Sequence, residues 1–424
     1  MARQYWVETL GCPKNQVDSD KLVGTLVADG LVAAAAPDQA DVLVINTCAF
    51  IEAARRESVD TVLALSEARK SGAQLVVTGC MAERYGAELA EALPEVDLVA
   101  GFGVPVSLQP KPGGPAKGGV PTLDLLNLPR PRASAPWAYV KVAEGCDRTC
   151  GFCAIPSFRG RQRSRAPEDI LAEVEALEAA EIVLVAQDLA SYGKDRPELG
   201  AGSIVPLVAS VAARVARVRL LYLYPSELTD ALVDAIDATG IHYFDLSLQH
   251  VSKRHLRRMR RWGDGDRFLT RIAEIRRRMP DAAFRSNFIA GYPGETEDDH
   301  DQLLRFVDEA QLDWCGFFAF SREDGTFAAS LPDQVDAGLM ADRLAELTEL
   351  QDRITATRRA ALVGSTVSVL VDGAGEGRSH REAPEIDGVI RVPPLLPPGT
   401  FVDVVITGAE GPDLDGEPVA AEVA

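Results

Sequence analysis

Three times in the first eighty residues an apolar run ends on a cysteine: YWVETLGC at Cys12, DVLVINTC at Cys48 and QLVVTGC at Cys80. Helical patterns follow each run, over residues 19–29, 52–70 and 82–93, and VDLVAG closes the series. Continuous apolar strands alternating with amphipathic helices require a parallel sheet covered by helices. The carboxyl ends of such strands face one edge, where ligands bind. Three cysteines far apart in sequence therefore converge there. The alternative, three small buried apolar residues, needs the same strand position to recur by chance. Gly11 and Gly79 precede two of these cysteines and let the backbone approach a bulky group. Residues 1–103 hold no histidine, which disfavours a mixed zinc site. Three thiolates alone suit an iron–sulfur cluster with one iron left open.

The alternation resumes over residues 132–360. Candidate strands are AYVKVAEG, EIVLVAQD, VRLLYLYP, YFDLSLQH, FRSNFIAGYPG and WCGFFAF, with helical patterns between them at 167–180, 228–238 and 296–310. Six such units predict a full or partial parallel barrel, whose active site lies at the carboxyl ends of its strands. The stretch GCDRTCGFC places Cys146, Cys150 and Cys153 directly after the first strand. Zinc sites and iron–sulfur cubes normally take four protein ligands, yet the next cysteine is Cys315, inside an apolar strand and read as core. His250, one of five histidines, ends a strand of the same barrel, so a zinc loop completed by it is the competing reading.

Residues 104–131 turn Pro/Gly-rich and read as a linker. Residues 361–424 hold short β-rich runs with Gly/Pro turns and fit a small antiparallel β-barrel. The predicted organisation is thus an N-terminal parallel α/β domain (1–103), a linker, a central partial β/α barrel (132–360) and a C-terminal β-barrel (361–424).

The 424 residues carry a formal charge of −19, which argues against stable nucleic-acid binding. Residues 253–278 run the other way, with eleven Lys/Arg against three acids, and Arg159, Arg161, Arg163 and Arg165 alternate with other residues. These read either as solvated faces or as a local patch that meets an anion. The seven cysteines are too few and too spread for a disulfide scaffold. No run of about 18 apolar residues occurs, so no membrane contact is expected. The opening MARQYWVETLGC has no signal segment, and a cytoplasmic location is expected.

C-x3-C-x2-C at the end of a first barrel strand, with Phe152 before the last cysteine, resembles the radical S-adenosylmethionine signature. A three-cysteine N-terminal domain, a radical barrel and a C-terminal TRAM barrel together resemble the methylthiotransferases, over nearly the whole chain. The resemblance implies two 4Fe–4S clusters, one on Cys146, Cys150 and Cys153 and one on Cys12, Cys48 and Cys80. It also implies S-adenosylmethionine, whose amino and carboxylate groups fill the missing fourth position of the first cluster. In that family a first S-adenosylmethionine methylates a sulfur on the second cluster. Another supplies the radical that activates the substrate carbon. A low-potential donor, flavodoxin or ferredoxin, provides electrons.

One branch of the family modifies an adenosine in tRNA. Another modifies the β-carbon of an aspartate in the twelfth small-subunit ribosomal protein, and VAQDLASYGKD, LYPSELTD, LSLQHVSKRHLRRMRR and RSNFIAGYPGETEDD resemble that branch. A rival of another class is a non-catalytic iron–sulfur protein that binds the ribosome. By resemblance, Gln187 and Asp188 stand where the family holds the methionine amino group. Gln249 and His250 face the ribose or substrate, and the segment with Ser286 and Gly291 packs beside adenine. No catalytic residue is assigned. Residues 361–424 hold eleven acids and three arginines, which suits a basic ribosomal protein as partner. Asp413, Asp415 and Glu417 in the tail, and Glu382, Glu385 and Asp387, are the acids expected to steer it.

Overall fold

The structure, a computed structural model, describes residues 2–106, 123–200 and 202–419. The N-terminal unit runs β1 (Gln4–Thr9), α1 (Pro13–Ala28), β2 (Val32–Ala33), β3 (Val42–Thr47), α2 (Glu52–Ala68), β4 (Gln74–Gly79), α3 (Cys80–Ala92) and β5 (Leu98–Ala100). Its sheet has the order β2-β1-β3-β4-β5 and every pair is parallel. Thr9 lies opposite Asn46 and Thr47 opposite Gly79, so the three cysteine-bearing strands end level. Helix α1 begins six residues before the predicted start. Cys12 is its extended N-cap, and Pro13 supplies the preset backbone of a first helical position.

The central unit contains β6 (Trp137–Lys141), β7 (Ala143–Glu144), α4 (Ile155–Arg159), β8 (Arg163–Ser164), α5 (Pro167–Leu177), β9 (Glu181–Val185), α6 (Ile204–Ala212) and β10 (Arg217–Leu220). It continues through α7 (Asp230–Ala238), β11 (Tyr243–Gln249), α8 (Lys253–Arg258), α9 (Gly265–Arg278), β12 (Ala283–Ala290), α10 (Glu297–Ala310), β13 (Trp314–Ala319) and α11 (Ala337–Ala360). The six long strands pair in parallel in chain order, as β6-β9-β10 and β11-β12-β13, joined by a parallel bridge between Leu223 and Leu246. This is the partial barrel. Helix α10 starts at a capping box: the Thr296 hydroxyl accepts the Asp299 N–H and the Asp299 carboxylate accepts the Thr296 N–H. The short antiparallel pair β7–β8 brackets the cysteine loop. Most of the expected linker lies outside the described residues. Its end is packed, because Arg130 pairs with Asp20 of α1 (2.8 Å) and Glu173 of α5 (2.9 Å).

The C-terminal strands β14 (Thr366–Gly373), β15 (Glu376–Arg378), β16 (Ile390–Arg391), β17 (Phe401–Glu410) and β18 (Asp413–Pro418) close a barrel in the order β14-β15-β16-β18-β17. It departs from the antiparallel expectation at one seam, where β16 and β18 run parallel. Asp413, Asp415 and Glu417 therefore sit in a paired strand and not in a tail.

Two acids expected to face solvent, Glu382 and Asp387, are instead interior ties to the central barrel. Glu382 is buried against Arg359 of α11, and the Asp387 carboxylate accepts from Arg285 (2.7 Å) and the Tyr243 hydroxyl (2.6 Å). Arg378 lies in β15 and donates to Glu181 of β9 (2.9 Å), which also accepts from Arg219 of β10 (2.8 Å). Val17 of α1, Tyr139, Val183, Leu221 and Trp314 of the central unit, and Ala383 share one apolar core, so all three units pack as one body.

Glu181 has no exposed surface. Burial pushes its carboxyl up, but Arg378 and Arg219 more than reverse this and hold it down at about 2. Glu181→Ala leaves Arg219 buried without its carboxylate and Arg378 with Asp372 alone, and should cost about 3–5 kcal/mol in urea unfolding. Asp403→Ala, at an exposed position, should change stability by less than about 0.5 kcal/mol. The Glu181 contribution is present above its ordinary value of 4.5 and is lost as pH falls towards about 2. The variant should therefore show less acid destabilisation over that window than the wild type.

Candidate active site between the two cysteine trios

Cys12, Cys48 and Cys80 meet at the level strand ends of the N-terminal sheet. Gly11 and Gly79 both have left-handed backbone (φ 95° and 89°). A Cβ on Gly11 would come within 3.0 Å of the Cys48 sulfur, so only glycine leaves that approach open. The second trio lies in the loop after β7. The Arg148 N–H donates to the Cys146 sulfur (3.4 Å) and Arg261 donates to that of Cys150 (3.2 Å).

Arg159, at the end of α4, connects the two. Its Nε and Nη2 lie 3.3 and 3.1 Å from the Cys80 sulfur, and Nη2 donates to Asn15 (2.7 Å). Nη1 donates to Asp18 of α1 (3.1 Å) and to Glu144 (2.9 Å), two residues before Cys146. Lys141 completes the network by pairing with Asp18 and with Glu144 (2.6 Å). Two cations and two carboxylates thus balance within a buried interface, where each needs its partners. Burial raises the Glu144 carboxyl, but Arg159 and Lys141 hold it far below the usual range.

The donor chemistry fits iron–sulfur clusters. Tetrahedral zinc with thiolates at about 2.3 Å brings sulfurs within about 4 Å of one another. Among the described residues the one group of three such donors within 4.8 Å is His250, His255 and Glu295, so neither trio is that tight. The zinc reading also fails on its histidine. His250 is fully buried, accepts the Ser252 N–H at Nδ1 (3.1 Å) and lies beside His255, not beside the cysteines. That histidine cluster is a poor cation site itself, because Glu295 is already paired with Arg343 (2.9 Å). Burial raises the Cys48 and Cys153 thiols to about 12 and the Cys146 thiol to about 11, so cluster binding must displace protons. For Cys12 burial also raises the thiol, but Lys14, Arg159 and the backbone N–H groups of Asn15 and Lys14 together outweigh it and the net shift is downward.

The other expected residues divide. Gln187 donates to Glu144 (2.8 Å), and Asp188 accepts from Arg148 (2.6 Å), which also reaches Ser191 (3.1 Å) and Glu227 (2.9 Å). Both therefore stand against the cysteine loop. Gln249 ends β11 with a left-handed backbone (φ 72°), as does Tyr222 after β10 (φ 64°). Such strain in non-glycine residues gathers at functional sites. Ser286 is buried and donates to the Leu246 carbonyl (2.8 Å), tying β12 to β11, while the Gly291 N–H donates to Glu295 (2.8 Å). Cys315 packs against the barrel core, as expected.

Sequence reasoning missed Lys14, Asn15, Asp18, Lys141, Glu144 and Arg148, although PKN follows Cys12 directly and EG precedes Cys146. Arg159→Leu should leave Asp18 and Glu144 buried with less than their charge and cost about 3–5 kcal/mol in denaturant unfolding. Arg161→Leu, at an exposed position, serves as the near-neutral control.

Three stretches of the chain match known protein families. Residues 4–101 match the family described as "Uncharacterized protein family UPF0004", residues 140–307 the radical SAM superfamily and residues 363–419 the TRAM domain. The chain is 41% identical to the ribosomal protein uS12 methylthiotransferase RimO of Streptomyces coelicolor, over 99% of this chain and 97% of that one. It is 40% identical to RimO of Anaeromyxobacter sp. (100% and 94%) and 39% identical to RimO of Geobacter sulfurreducens (96% and 97%). Among solved structures it is similar to the radical S-adenosylmethionine methyltransferase TsrM from Kitasatospora setae, with TM-score 0.48, 14% identity and coverage of 75% and 73%. With near-equal length, some 40% identity throughout and all three domain matches in order, the chain belongs to the RimO family of radical S-adenosylmethionine methylthiotransferases.

Proposed function

We propose that this protein methylthiolates the β-carbon of an aspartate in ribosomal protein uS12. The observation that carries the reading is one buried guanidinium, that of Arg159, which touches the Cys80 sulfur of one trio and Glu144, two residues before Cys146 of the other. Cys146, Cys150 and Cys153 would hold one 4Fe–4S cluster, and Cys12, Cys48 and Cys80 the other. When bound, the first supplies the electron that cleaves S-adenosylmethionine and the second holds the sulfur to be transferred. Arg148, fixed by Asp188 and Glu227 and lying 3.9 Å from the Tyr224 ring centroid, holds the cysteine loop in place. Glu144 and Gln187 form a hydrogen-bonded pair suited to the methionine ammonium. Gln249 and His250, at the end of β11, and Ser286 and Gly291, in and just after β12, would serve S-adenosylmethionine or the substrate, as the family resemblance implies.

Electrons would come from a low-potential donor of the flavodoxin or ferredoxin kind. No helix among the described residues is long and apolar enough to cross a membrane. Among the described residues of the C-terminal barrel, Glu376, Glu385, Asp403, Glu410 and Glu417 remain exposed, and these offer a basic ribosomal protein a complementary face.

Anaerobic reconstitution should load about eight irons per chain, and alanine at Cys146, Cys150 and Cys153 together should leave about four. Retention of all the iron in that variant would contradict the ligand assignment. Alanine at Cys12, Cys48 and Cys80 should abolish methylthiolation yet leave some 5′-deoxyadenosine release. Mass spectrometry of uS12 from cells with and without the gene should show one methylthio group on an aspartate only when the gene is present. Label from S-adenosylmethionine entering tRNA instead would move the reading to the other branch.

A further inference from the structure

We infer that Lys14 recognises the target aspartate by its carboxylate, an assignment that rests on the function proposed above and names the residue that selects its substrate. Lys14 follows Cys12 by two residues, in the first turn of α1, and retains only 9% of its surface. Its ammonium reaches across the domain boundary to lie 3.3 Å from the centroid of the Tyr222 ring. Tyr222 stands just beyond barrel strand β10, with its N–H donating to Asp245 of β11 (2.9 Å). One side chain thus spans from the N-terminal trio to the strand ends of the radical barrel.

Among the described residues, every other buried lysine or arginine has a hydrogen-bond acceptor or an ion-pair partner. Lys21, Lys141, Arg159, Arg165, Arg217, Arg219, Arg343, Arg359 and Arg378 are all so held. Lys14 has neither. Cys12, Asp245 and Cys48 lie within its field, but it makes no ion pair with any of them. An ammonium removed from water needs an anionic partner, and an aromatic face replaces only part of its hydration. An aspartyl carboxylate is such a partner. It is bonded directly to the β-carbon, so holding it fixes the carbon that reacts. A neutral asparagine in its place lacks the charge that the ammonium requires. The competing role is structural: Lys14 offsets Asp245 and the nearby thiols and touches no substrate.

The test is equilibrium binding of reconstituted full-length protein to a fluorescent peptide that carries the target aspartate of uS12, and to the same peptide with asparagine there. Wild type should prefer the aspartate peptide by about tenfold, as a charge-assisted hydrogen bond implies. Lys14→Met should lower that preference to under about twofold without changing affinity for the asparagine peptide, and Lys14→Arg should restore part of it. Equal binding of both peptides by wild type overturns the assignment, and that arm needs no variant to fold. A Lys14→Met protein with wild-type iron content that keeps the tenfold preference overturns it as well. Both results leave the proposed function standing. Failure of wild type to bind either peptide would instead remove the substrate reading beneath it.

Discussion

Arg159 directs its guanidinium at four partners from two units: the Cys80 sulfur, Asn15 and Asp18 on one side, Glu144 beside the cysteine loop on the other. The rest of the site depends on that span. The N-terminal sheet brings its trio together by strand register alone, and the barrel brings its trio together in one short loop. Neither element fixes the distance between the two. That distance is set at the interface, where burial forces Asp18, Glu144, Lys141 and Arg159 to satisfy one another. A buried set of this kind adds little stability over an apolar packing of equal volume. It does demand one arrangement, because any shift of α1 against β6 and the β7 loop strands a charge. Helix α1 is therefore both the wall of the N-terminal sheet and the part that aligns it on the barrel.

The C-terminal barrel is fastened by the same chemistry. Glu181, at the start of β9, is shared by Arg219 of its own sheet and Arg378 of β15, while Asp387 and Glu382 anchor to Arg285 and Arg359. The acidity of this segment thus has two origins. Part of it locks the barrel in place and never meets solvent. Only the exposed remainder is available to a partner, and long-range attraction to a basic protein rests on those side chains.

Much of this was legible in the sequence. Strand-terminal cysteines and a C-x3-C-x2-C loop after a first barrel strand are local patterns, and level parallel strands convert them directly into proximity. The order of six barrel strands followed from the repeated unit. What periodicity could not show was polar burial. The interior face of α1 includes Lys14, Asn15, Asp18, Ser19 and Lys21, so a search for an apolar stripe places the helix start too late and reads its most constrained residues as solvated. The same assumption put Glu382 and Asp387 on the surface. Strand β18, DLDGEP, lacks the apolar alternation of a strand because only Leu414 and Gly416 face inward, and its parallel pairing with β16 leaves no trace in composition. The surroundings of His250 were hidden for a backbone reason. A left-handed Gln249 breaks the alternation of sides along β11, so counting positions does not tell where the next side chain points.

The central claim is that the two trios address one shared space. Electron paramagnetic resonance of the reconstituted, reduced protein tests it directly, because two paramagnetic clusters held near each other broaden and relax one another. The account predicts that the signal with both clusters present differs from the sum of signals from variants that carry each cluster alone, and that Arg159→Leu moves it towards that sum. A wild-type signal equal to the sum would mean that the clusters do not share a site, and would contradict the account.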